Sequence, residues 1–305
     1  MGWKQFLGFI FIFIVFTLLA MYWFFPLNEI SFTARSSGNS NFTINSLVNN
    51  SMQFYPNMRY PDSRISYKIS DCTLQKQDDM EKAFRTLENK TVLEFYLVSS
   101  NEEISITCDS KTKIEGGLFI AGEGGPTNIT QAGEFNVIEG GSILLLRDSK
   151  CETPLVPIHE LFHALGFDHS ENENNVMYPV SKCGQQIGQD SIDLINSLYT
   201  VDKDPDLQFE SAEASMKSRY LDVSMTIRNN GLEDSETATV FVYGDNKELK
   251  SIDVEPLEIG AGRIITLSNI FVLQKDITKV ELKISYPHAE LDKNNNVLSL
   301  EIKNN

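Results

Sequence analysis

Residues 159–169, with the sequence His-Glu-Leu-Phe-His-Ala-Leu-Gly-Phe-Asp-His, constrain the fold more than any other part of the chain. They contain three of the four histidines among its 305 residues. On a helix, His159 and His163 lie one turn apart and about 40° apart around the axis, so their rings share one face. Gly166 tolerates the left-handed backbone that ends a helix. We therefore predict a helix that stops at Gly166 and a turn that brings His169 back to the other two rings.

Three imidazoles at this spacing predict a metal centre with one zinc ion, bound by His159, His163 and His169. Three nitrogen ligands leave the fourth tetrahedral position for water, which is typical of a catalytic zinc ion and not of a structural one. Glu160 follows His159 on the helix and can reach that water without binding the metal, so we predict that it is the general base. The competing interpretation is an H-E-x-x-H pattern on an ordinary exposed helix, which the placement of Gly166 and His169 disfavours.

The same residues carry a family resemblance. H-E-x-x-H-x-x-G-x-x-H is the zinc-binding motif of the metzincin metallopeptidases, and residues 159–169 match it at every fixed position. Residues 175–179, Asn-Val-Met-Tyr-Pro, resemble the Met-turn that underlies the metal in that clan. The resemblance implies that Met177 lies beneath the imidazoles and is not a ligand. Taken alone, Met177 would be interpreted as an ordinary core residue.

Within that clan, the chain is most similar to the matrixins. The similarity is strong from residue 155 to residue 179 and includes Ser170, directly after the third histidine. Residues 189–199 look like the matrixin C-terminal helix, and the whole similarity covers residues 64–200. The resemblance implies a zinc-dependent endopeptidase. Its catalytic domain, residues 61–203, is then expected to be an α+β fold with a mixed sheet and three helices.

The sequence also departs from the matrixin pattern. Phe162 stands where matrixins usually carry glycine, which is expected to change the packing behind the helix. The region before the motif lacks the Asp- and His-rich loop that holds structural zinc and calcium ions in that family. The two cysteines upstream, Cys72 and Cys108, lie in strand-like sequence. A cysteine switch, in which a thiolate caps the metal, is therefore not expected.

The resemblance implies a mechanism and a place for the substrate. Glu160 would take a proton from the attacking water and pass it to the leaving amine of a protein or peptide substrate. The substrate would lie antiparallel to an edge strand, for which residues 118–121 are our candidate, with a plain core strand as the alternative. Two other functions stay open: an adhesion protein whose protease domain has decayed, and a metal hydrolase that acts on a non-peptide substrate.

Local patterns predict the elements of this domain. Alternating residues predict a strand at 65–69, and an apolar stripe of Met80, Ala83, Phe84 and Leu87 predicts a helix. Further strands are predicted at residues 92–98, 103–108 and 143–146, and further helices at residues 155–165 and 191–199.

Residues 204–305 predict an all-β domain, an immunoglobulin-like sandwich, because short alternating stretches are separated by regular turns. The domain resembles the small β-sandwich adhesion modules of archaeal and bacterial surface proteins, which implies a cell-surface partner. A spacer that orients the other domain is an equal alternative. Around Asp292 and the three asparagines after Lys293, a simple turn is favoured over calcium binding.

The N-terminal region predicts export. Residues 6–25 are apolar over about 30 Å of helix, the thickness of a bilayer core. We therefore predict a single-pass transmembrane anchor in the cell membrane, with residues 1–5 in the cytoplasm and the catalytic domain extracellular. The alternative is a secreted protein whose signal peptide is cleaved. Residues 26–60, rich in Ser and Asn, predict a polar extracellular stalk, with a packed irregular segment as the alternative.

The cysteines and the net charge limit the cellular compartment and the class of partner. Four cysteines agree with an oxidising compartment and allow three pairings. We favour Cys72–Cys108 with Cys151–Cys183, because each pair encloses a compact segment. The formal net charge of −16 argues against a nucleic-acid partner, because binding phosphates requires clustered Lys and Arg.

Overall fold

The computed structural model describes residues 3–24, 29–34, 52–111, 113–115, 118–148, 151–274 and 277–302 of the chain. The structure divides into two units. The mixed unit comprises Phe42–Pro205 with Asn230–Asp234, and the β unit comprises Met1–Asn41, Asp206–Asn229 and Ser235–Asn305. The division after Pro205 lies two residues from the domain boundary expected between residues 203 and 204.

The N-terminal elements are helix α1 (Trp3–Phe24) and strand β1 (Glu29–Ala34). Among the described side chains of α1, the apolar ones include the exposed Phe9, Phe11 and Phe13. No helix in the described part of the chain combines the length and the apolar character that crossing a membrane requires. Residues 6–24 of the expected anchor lie in this helix, residue 25 lies outside the described residues, and a membrane span is not confirmed.

Strands β2 to β9 and three helices build the mixed unit. In chain order they are β2 (Met58–Arg59), β3 (Arg64–Ser70), α2 (Leu74–Glu88), β4 (Glu94–Leu97), β5 (Ile104–Cys108), β6 (Lys113–Glu115), β7 (Leu118–Ile120), β8 (Gly122–Ala132), β9 (Phe135–Leu145), α3 (Leu155–Ala164) and α4 (Gln189–Leu198). The three helices and the predicted strands are all present among the described residues.

The main sheet of the mixed unit has both parallel and antiparallel pairs. Strands β4, β3, β5 and β9 are parallel neighbours in that order, and β2 also pairs with β9 in parallel. Strand β8 pairs antiparallel with β9 along nearly its whole length. Ile104, Ile106, Ile143 and Leu145 are buried in the core of this unit. The predicted mixed sheet is therefore confirmed.

Helix α2 forms because its sequence supplies a cap and an apolar stripe. The side chain of Thr73 accepts a hydrogen bond from the backbone N–H of Lys76, so the helix begins before the two aspartates that suggested its start. The predicted stripe of Met80, Ala83, Phe84 and Leu87 is fully buried. Burying each large side chain of this kind contributes about 1.5–3 kcal/mol, so the stripe fixes the helix on the core.

A buried lysine at the start of α2 closes one end of the sheet. The ammonium of Lys76 donates to the carbonyl oxygens of Asp109, Leu145 and Leu146 at 3.0, 3.1 and 3.2 Å. These carbonyls lie at or just beyond the ends of β5 and β9. An internal positive charge therefore satisfies three oxygens that would otherwise be costly to bury.

Both favoured disulfides are present. Cys72 follows β3 and Cys108 ends β5, and because these strands are parallel neighbours the two Cα atoms lie 4.9 Å apart. Cys151 and Cys183, with Cα atoms 5.5 Å apart, join the segment before α3 to the segment before α4. The pairing predicted from the compact segments is confirmed.

The β unit is built from seven further strands and a short 3-10 helix. They are β10 (Leu207–Lys217), β11 (Tyr220–Asn229), β12 (Ala238–Gly244), β13 (Lys247–Val254), β14 (Gly262–Phe271), β15 (Lys279–Ser285), the 3-10 helix (Lys293–Asn296) and β16 (Val297–Ile302).

With β1, these strands form one antiparallel sheet in the order β13-β12-β15-β16-β1-β10-β11-β14. Alternate residues of β11 and β12, such as Leu221, Val223, Val240 and Val242, are buried in a single core. The predicted all-β character is confirmed. The sandwich expected from the sequence implies two separate sheets, whereas the described strands are hydrogen-bonded in one continuous order.

Strand β1 lies between β16 and β10, although its residues belong to the segment expected to be a stalk. Phe32 is buried and pairs with Ala214 on one side and Ile302 on the other. Met58 and Tyr60, at the end of the same segment, are buried in the mixed unit. The expectation of a stalk over residues 26–60 is thus wrong for residues 29–34 and 52–60, and its other residues lie outside the described ones.

Candidate metal centre

Helix α3 carries the first two histidines and the predicted base. The helix is apolar nearly all round, so its residues from Leu155 to Ala164 are almost all buried. His159, Glu160 and His163 are only 7%, 5% and 7% exposed. Three ionisable side chains are therefore held inside the core, where polar groups are stable only with partners.

Gly166 makes the turn that the sequence predicts. Its φ is +90°, in the left-handed region, and its N–H donates to the carbonyl of His163 at 2.9 Å. A side chain there would have no room, because a Cβ atom would lie 2.8 Å from the Cβ of Met58. The chain therefore turns sharply at this glycine and returns towards the helix at His169.

The turn brings the three predicted ligands together. The Nε2 atom of His163 lies 3.0 Å from the Nε2 of His159 and 3.2 Å from the Nε2 of His169. Ligand atoms of all three lie within 4.8 Å of one another. His159 and His163 are buried and His169 is exposed, so the cluster has one open side.

Backbone carbonyls fix the orientation of two rings. The Nδ1 atom of His159 lies 2.7 Å from the carbonyl oxygen of Val176, and the Nδ1 of His163 lies 2.8 Å from that of Phe167. A carbonyl oxygen can only accept, so each Nδ1 carries the hydrogen and each Nε2 presents a lone pair. The lone pairs of both rings thus face the centre of the cluster.

The predicted Met-turn supports this arrangement. Val176 supplies the carbonyl that holds His159, and the carbonyl of Met177 accepts from the N–H of Ser170 at 2.9 Å. The side chain of Asn175 accepts from the N–H of Met177 at 2.9 Å and stabilises the turn. Met177 itself is buried. The turn therefore anchors both the first histidine and the residue that follows the third.

The donor set fits a zinc ion. Nitrogen ligands at about 2.0–2.1 Å from a tetrahedral zinc lie about 3.3 Å from one another, close to the two spacings of the Nε2 atoms. Burial is the main cause that lowers the pKa of His159 to about 4, and it also lowers the pKa of His163. Both rings are therefore neutral at neutral pH, the form that binds metal.

Glu160, a residue of helix α3, packs against strand β8. A Cβ atom on Gly122 would lie 2.7 Å from the Cγ of Glu160, and a Cβ atom on Gly124 would overlap its backbone carbonyl oxygen. The strand can approach the helix this closely only because both residues are glycine. Burial, and then the charge of Glu123, raise the pKa of Glu160 to about 8.

A segment before β2 also contributes to the site and was missed by the sequence analysis. The N–H of Phe54 donates to the carbonyl of Gly166 at 3.0 Å, and the N–H of Asp168 donates to the carbonyl of Met52 at 3.0 Å. The ring of Phe54 stacks on the ring of His163, with centroids 5.8 Å apart. These contacts hold the turn and one ligand. No periodic pattern marks this segment in the sequence, because two of these three contacts are made by backbone groups.

The predicted substrate strand needs correction. Residues 118–120 form β7, which pairs with β6 in a separate two-stranded sheet. In the main sheet, the strand beside α3 is β8, which pairs only with β9 among the described strands. The strand begins with Gly-Glu-Gly-Gly-Pro, and glycine and proline are depleted in strands. Strand propensity therefore did not predict β8. The edge next to Glu160 therefore belongs to β8.

A cavity of about 510 Å³ lies beside His169. Its carboxylates come from Asp168, Glu171 and Asp190, and no Lys or Arg is among its lining residues.

Phe162, which stands at the position of the matrixin glycine, is fully buried behind the helix and packs edge-on against Phe167, with ring centroids 5.2 Å apart.

Comparison with known proteins agrees with this geometry. Residues 59–200 match the family model described as Matrixin, and residues 204–304 match the model described as CARDB. Interstitial collagenase from Oryctolagus cuniculus is 29% identical over 164 residues, which cover 49% of this chain and 34% of that protein. Stromelysin-2 from Rattus norvegicus is 31% identical over 162 residues, covering 46% and 33%. The chain thus spans about one third of the length of these curated relatives.

One solved structure is also similar to the β unit. It is the CARDB domain of a Pyrococcus furiosus protein in complex with di-metal ions, at 18% identity and a TM-score of 0.28, covering 32% of this chain and 88% of that chain. A TM-score of this size does not establish a shared arrangement, so no conclusion about this chain rests on it. The predicted resemblance to the matrixins, with a C-terminal β-rich module, is confirmed by the two family models.

Proposed function

We propose, from the premise that residues 59–200 form a matrixin domain, that this chain is a zinc-dependent endopeptidase. The observation that carries the proposal is the convergence of three Nε2 atoms from His159, His163 and His169. Glu160 is buried and follows His159 on the same helix. One zinc ion would be held by these three nitrogens. Glu160 would be the general base.

A zinc ion held there supplies a water of lowered pKa and a positive charge beside the peptide carbonyl. The chain supplies the other groups. Glu160 accepts a proton from the attacking water and passes it to the nitrogen of the leaving amine. A nearby divalent cation favours the carboxylate and lowers the pKa that burial has raised, so the base is available at neutral pH. The carbonyls of Val176 and Phe167 keep two ligand rings oriented throughout.

The substrate would be a peptide in extended conformation along β8. The strand has one partner among the described strands, so its other edge can pair with a substrate strand. Gly122 and Gly124 place this edge directly beside Glu160. The acidic cavity next to His169 favours a substrate with a Lys or Arg side chain near the cleaved bond.

The compartment and the second unit follow as part of the same proposal. Two disulfides support an oxidising compartment outside the cytoplasm. The CARDB match supports binding to a cell-surface partner by the β unit.

The experiment is the cleavage of a peptide library by the zinc-loaded chain, read by mass spectrometry. We expect internal peptide bonds to be cut, with enrichment of Lys or Arg near the cleavage position. Glu160→Gln should retain zinc and lose about 10²- to 10⁴-fold in rate. Glu81→Gln, which removes an exposed carboxylate on α2, is the matched control and should keep full activity.

Three results would reject the proposal in different ways. Full turnover by Glu160→Gln would remove that residue from the mechanism. No cleavage by the zinc-loaded chain would favour an adhesion protein with an inactive domain. Hydrolysis of non-protein substrates alone would favour a different metal hydrolase.

A further inference from the structure

A second group of polar side chains lies in the β unit, where the chain enters β10 and again just before β16. We call it the acidic cluster; its members are Asp206, Glu290, Asp292, Asn295 and Asn296. The 3-10 helix and the residue before β10 bring them together, although more than eighty positions separate the two parts in sequence.

Hydrogen bonds tie the two parts of the acidic cluster. The amide nitrogen of Asn295 donates to Asp206 at 2.9 Å, and the amide nitrogen of Asn296 donates to Glu290 at 2.6 Å. The N–H of Leu207 donates to the other oxygen of Glu290 at 3.1 Å. Because both amides give their nitrogens to carboxylates, both must present their oxygens elsewhere.

Three oxygens of the acidic cluster have no protein partner. They are Oδ2 of Asp292 and the Oδ1 atoms of Asn295 and Asn296, and all three are buried. Asp292 is 7% exposed and Asn296 is 6% exposed. Each buried acceptor left without a partner costs about 1–3 kcal/mol, so three within five consecutive residues indicate a missing ligand. That ligand must be positive or a donor, since only acceptors are left.

The charge of the acidic cluster also requires a cation. The three carboxylates of Asp206, Glu290 and Asp292 bring negative charge into one small region, which the amide groups of Asn295 and Asn296 tie together. Lys293 is the adjacent cation, but its ammonium is exposed and donates to the carbonyl of His288. Like charges held together in a half-buried place are unfavourable unless a counterion binds.

We propose that the acidic cluster binds one calcium ion, with Oδ2 of Asp292 and the amide oxygens of Asn295 and Asn296 among its ligands. Carboxylates alone do not form the site: among the described residues, the three histidines are the group of His, Cys, Asp or Glu side chains whose ligand atoms lie within 4.8 Å of one another. The amide oxygens must therefore complete the coordination shell.

The donor chemistry selects calcium over other divalent ions. Calcium takes six to eight oxygens from carboxylates, amides and water in flexible geometry, at about 2.3–2.6 Å. Magnesium demands a stricter octahedron and keeps more of its water. Zinc prefers nitrogen and sulfur, which the acidic cluster does not offer. Asp292 also caps the 3-10 helix, but that hydrogen bond uses only its Oδ1.

The test uses the full chain with zinc already bound, so that the histidines do not compete. Calcium titration by calorimetry should give one ion per chain at millimolar affinity or tighter, and calcium should raise the unfolding temperature. Magnesium at the same concentration should produce less than half of that rise.

The variant Asp292→Asn separates a ligand from a structural residue. The substitution replaces the carboxylate that carries the unpartnered Oδ2 atom by an amide group and removes one negative charge. We expect this variant to be as stable as the native chain, or more so, without calcium, and to lose the calcium-dependent rise. Asp245→Asn is the matched control, because Asp245 also accepts from backbone N–H groups in a loop of the β unit and lies outside the acidic cluster. It should keep the full rise.

Each result decides. A rise that survives in Asp292→Asn, or that is lost equally in Asp245→Asn, would overturn the proposed site. So would the absence of any calcium binding at millimolar concentration. A variant Asp292→Asn that is less stable with and without calcium to the same extent would show that the carboxylate only caps the 3-10 helix.

Discussion

The histidine site of the mixed unit and the acidic cluster of the β unit face the same physical problem with different atoms. In the first, three ring nitrogens converge, and in the second, three buried oxygens have no protein donor. The histidine site offers three ring nitrogens on a helix and a turn, whereas the acidic cluster offers oxygens and negative charge on a 3-10 helix and the segments beside it. The type of donor atom therefore decides which cation each unit should bind.

A third group of polar atoms shows what happens when the protein supplies its own cation. Three backbone carbonyls at the end of the main sheet receive the ammonium of Lys76. No metal is needed there, because the positive charge and three hydrogen bonds come from one side chain. The acidic cluster has no equivalent among its own five members, which are three carboxylates and two amides.

Selective removal of each metal should have the largest effect and should separate the two sites. A zinc-selective chelator should abolish peptide cleavage, by at least about 10³-fold, and leave the calcium-dependent rise in unfolding temperature intact. A calcium-selective chelator should do the reverse. Both effects are measured on one preparation, by peptide turnover and by thermal unfolding. If either chelator removed both properties, the two sites would not be independent.

The pKa of Glu160 predicts a pH effect in the zinc-free protein. Between pH 4.5 and about pH 8, Glu160 keeps a proton in the folded chain that it has released in the unfolded chain. The free energy of unfolding therefore falls as pH rises through this window. Glu160→Gln removes this loss and should be more stable than the native chain by about 4 kcal/mol at the upper end, and nearly equal at the lower end. His159, with a pKa lowered to about 4, acts on the acid side in both proteins alike.

Denaturant unfolding of both zinc-free proteins across the window checks this prediction. Parallel stability curves would show that Glu160 does not hold a proton in the folded state. Adding zinc should reduce the difference, because a cation favours the carboxylate.

The close approach of β8 to α3 predicts a large effect from a small substitution. Gly124→Ala should destabilise the mixed unit by about 2–3 kcal/mol, because the new methyl group would overlap the backbone of Glu160. Gly125→Ala is a matched control in the next position, where a Cβ atom would meet nothing within 4 Å. Equal unfolding midpoints for the two variants in denaturant would contradict the packing described here.

Removing the buried ammonium of Lys76 should lower the free energy of unfolding by less than Gly124→Ala does. Lys76→Met keeps the length of the side chain and leaves three buried carbonyls without their donor, so we expect a loss of about 2 kcal/mol. Lys82→Met, on the exposed face of the same helix, should change stability little. Denaturant unfolding compares the two, and an equal change would show that Lys76 acts only through helix propensity.

The sequence predicted the parts of the molecule that depend on regular spacing. His159, Glu160 and His163 follow the helical repeat, Gly166 follows from its backbone freedom, and the stripe on α2 follows from burial. Each is encoded by residues near one another in the chain, so local rules suffice.

The sequence could not predict features that depend on distant backbone groups. Strand β1 adds to a sheet whose other strands lie more than 170 residues away, and Phe54 reaches the histidines through main-chain hydrogen bonds. Strand β8 is glycine-rich because it must approach a helix, which is the opposite of what strand propensity favours. The sequence favours a simple turn around Asp292, because the contact of Asn295 with the distant Asp206 forms only on folding.

The most direct measurement is the zinc content of the chain after dialysis against a buffered, low concentration of free zinc. The account predicts one zinc per native chain, loss of that zinc in His169→Ala, and full retention in His288→Ala, which removes the exposed fourth histidine in the β unit. One zinc retained by His169→Ala, or none bound by the native chain, would contradict it.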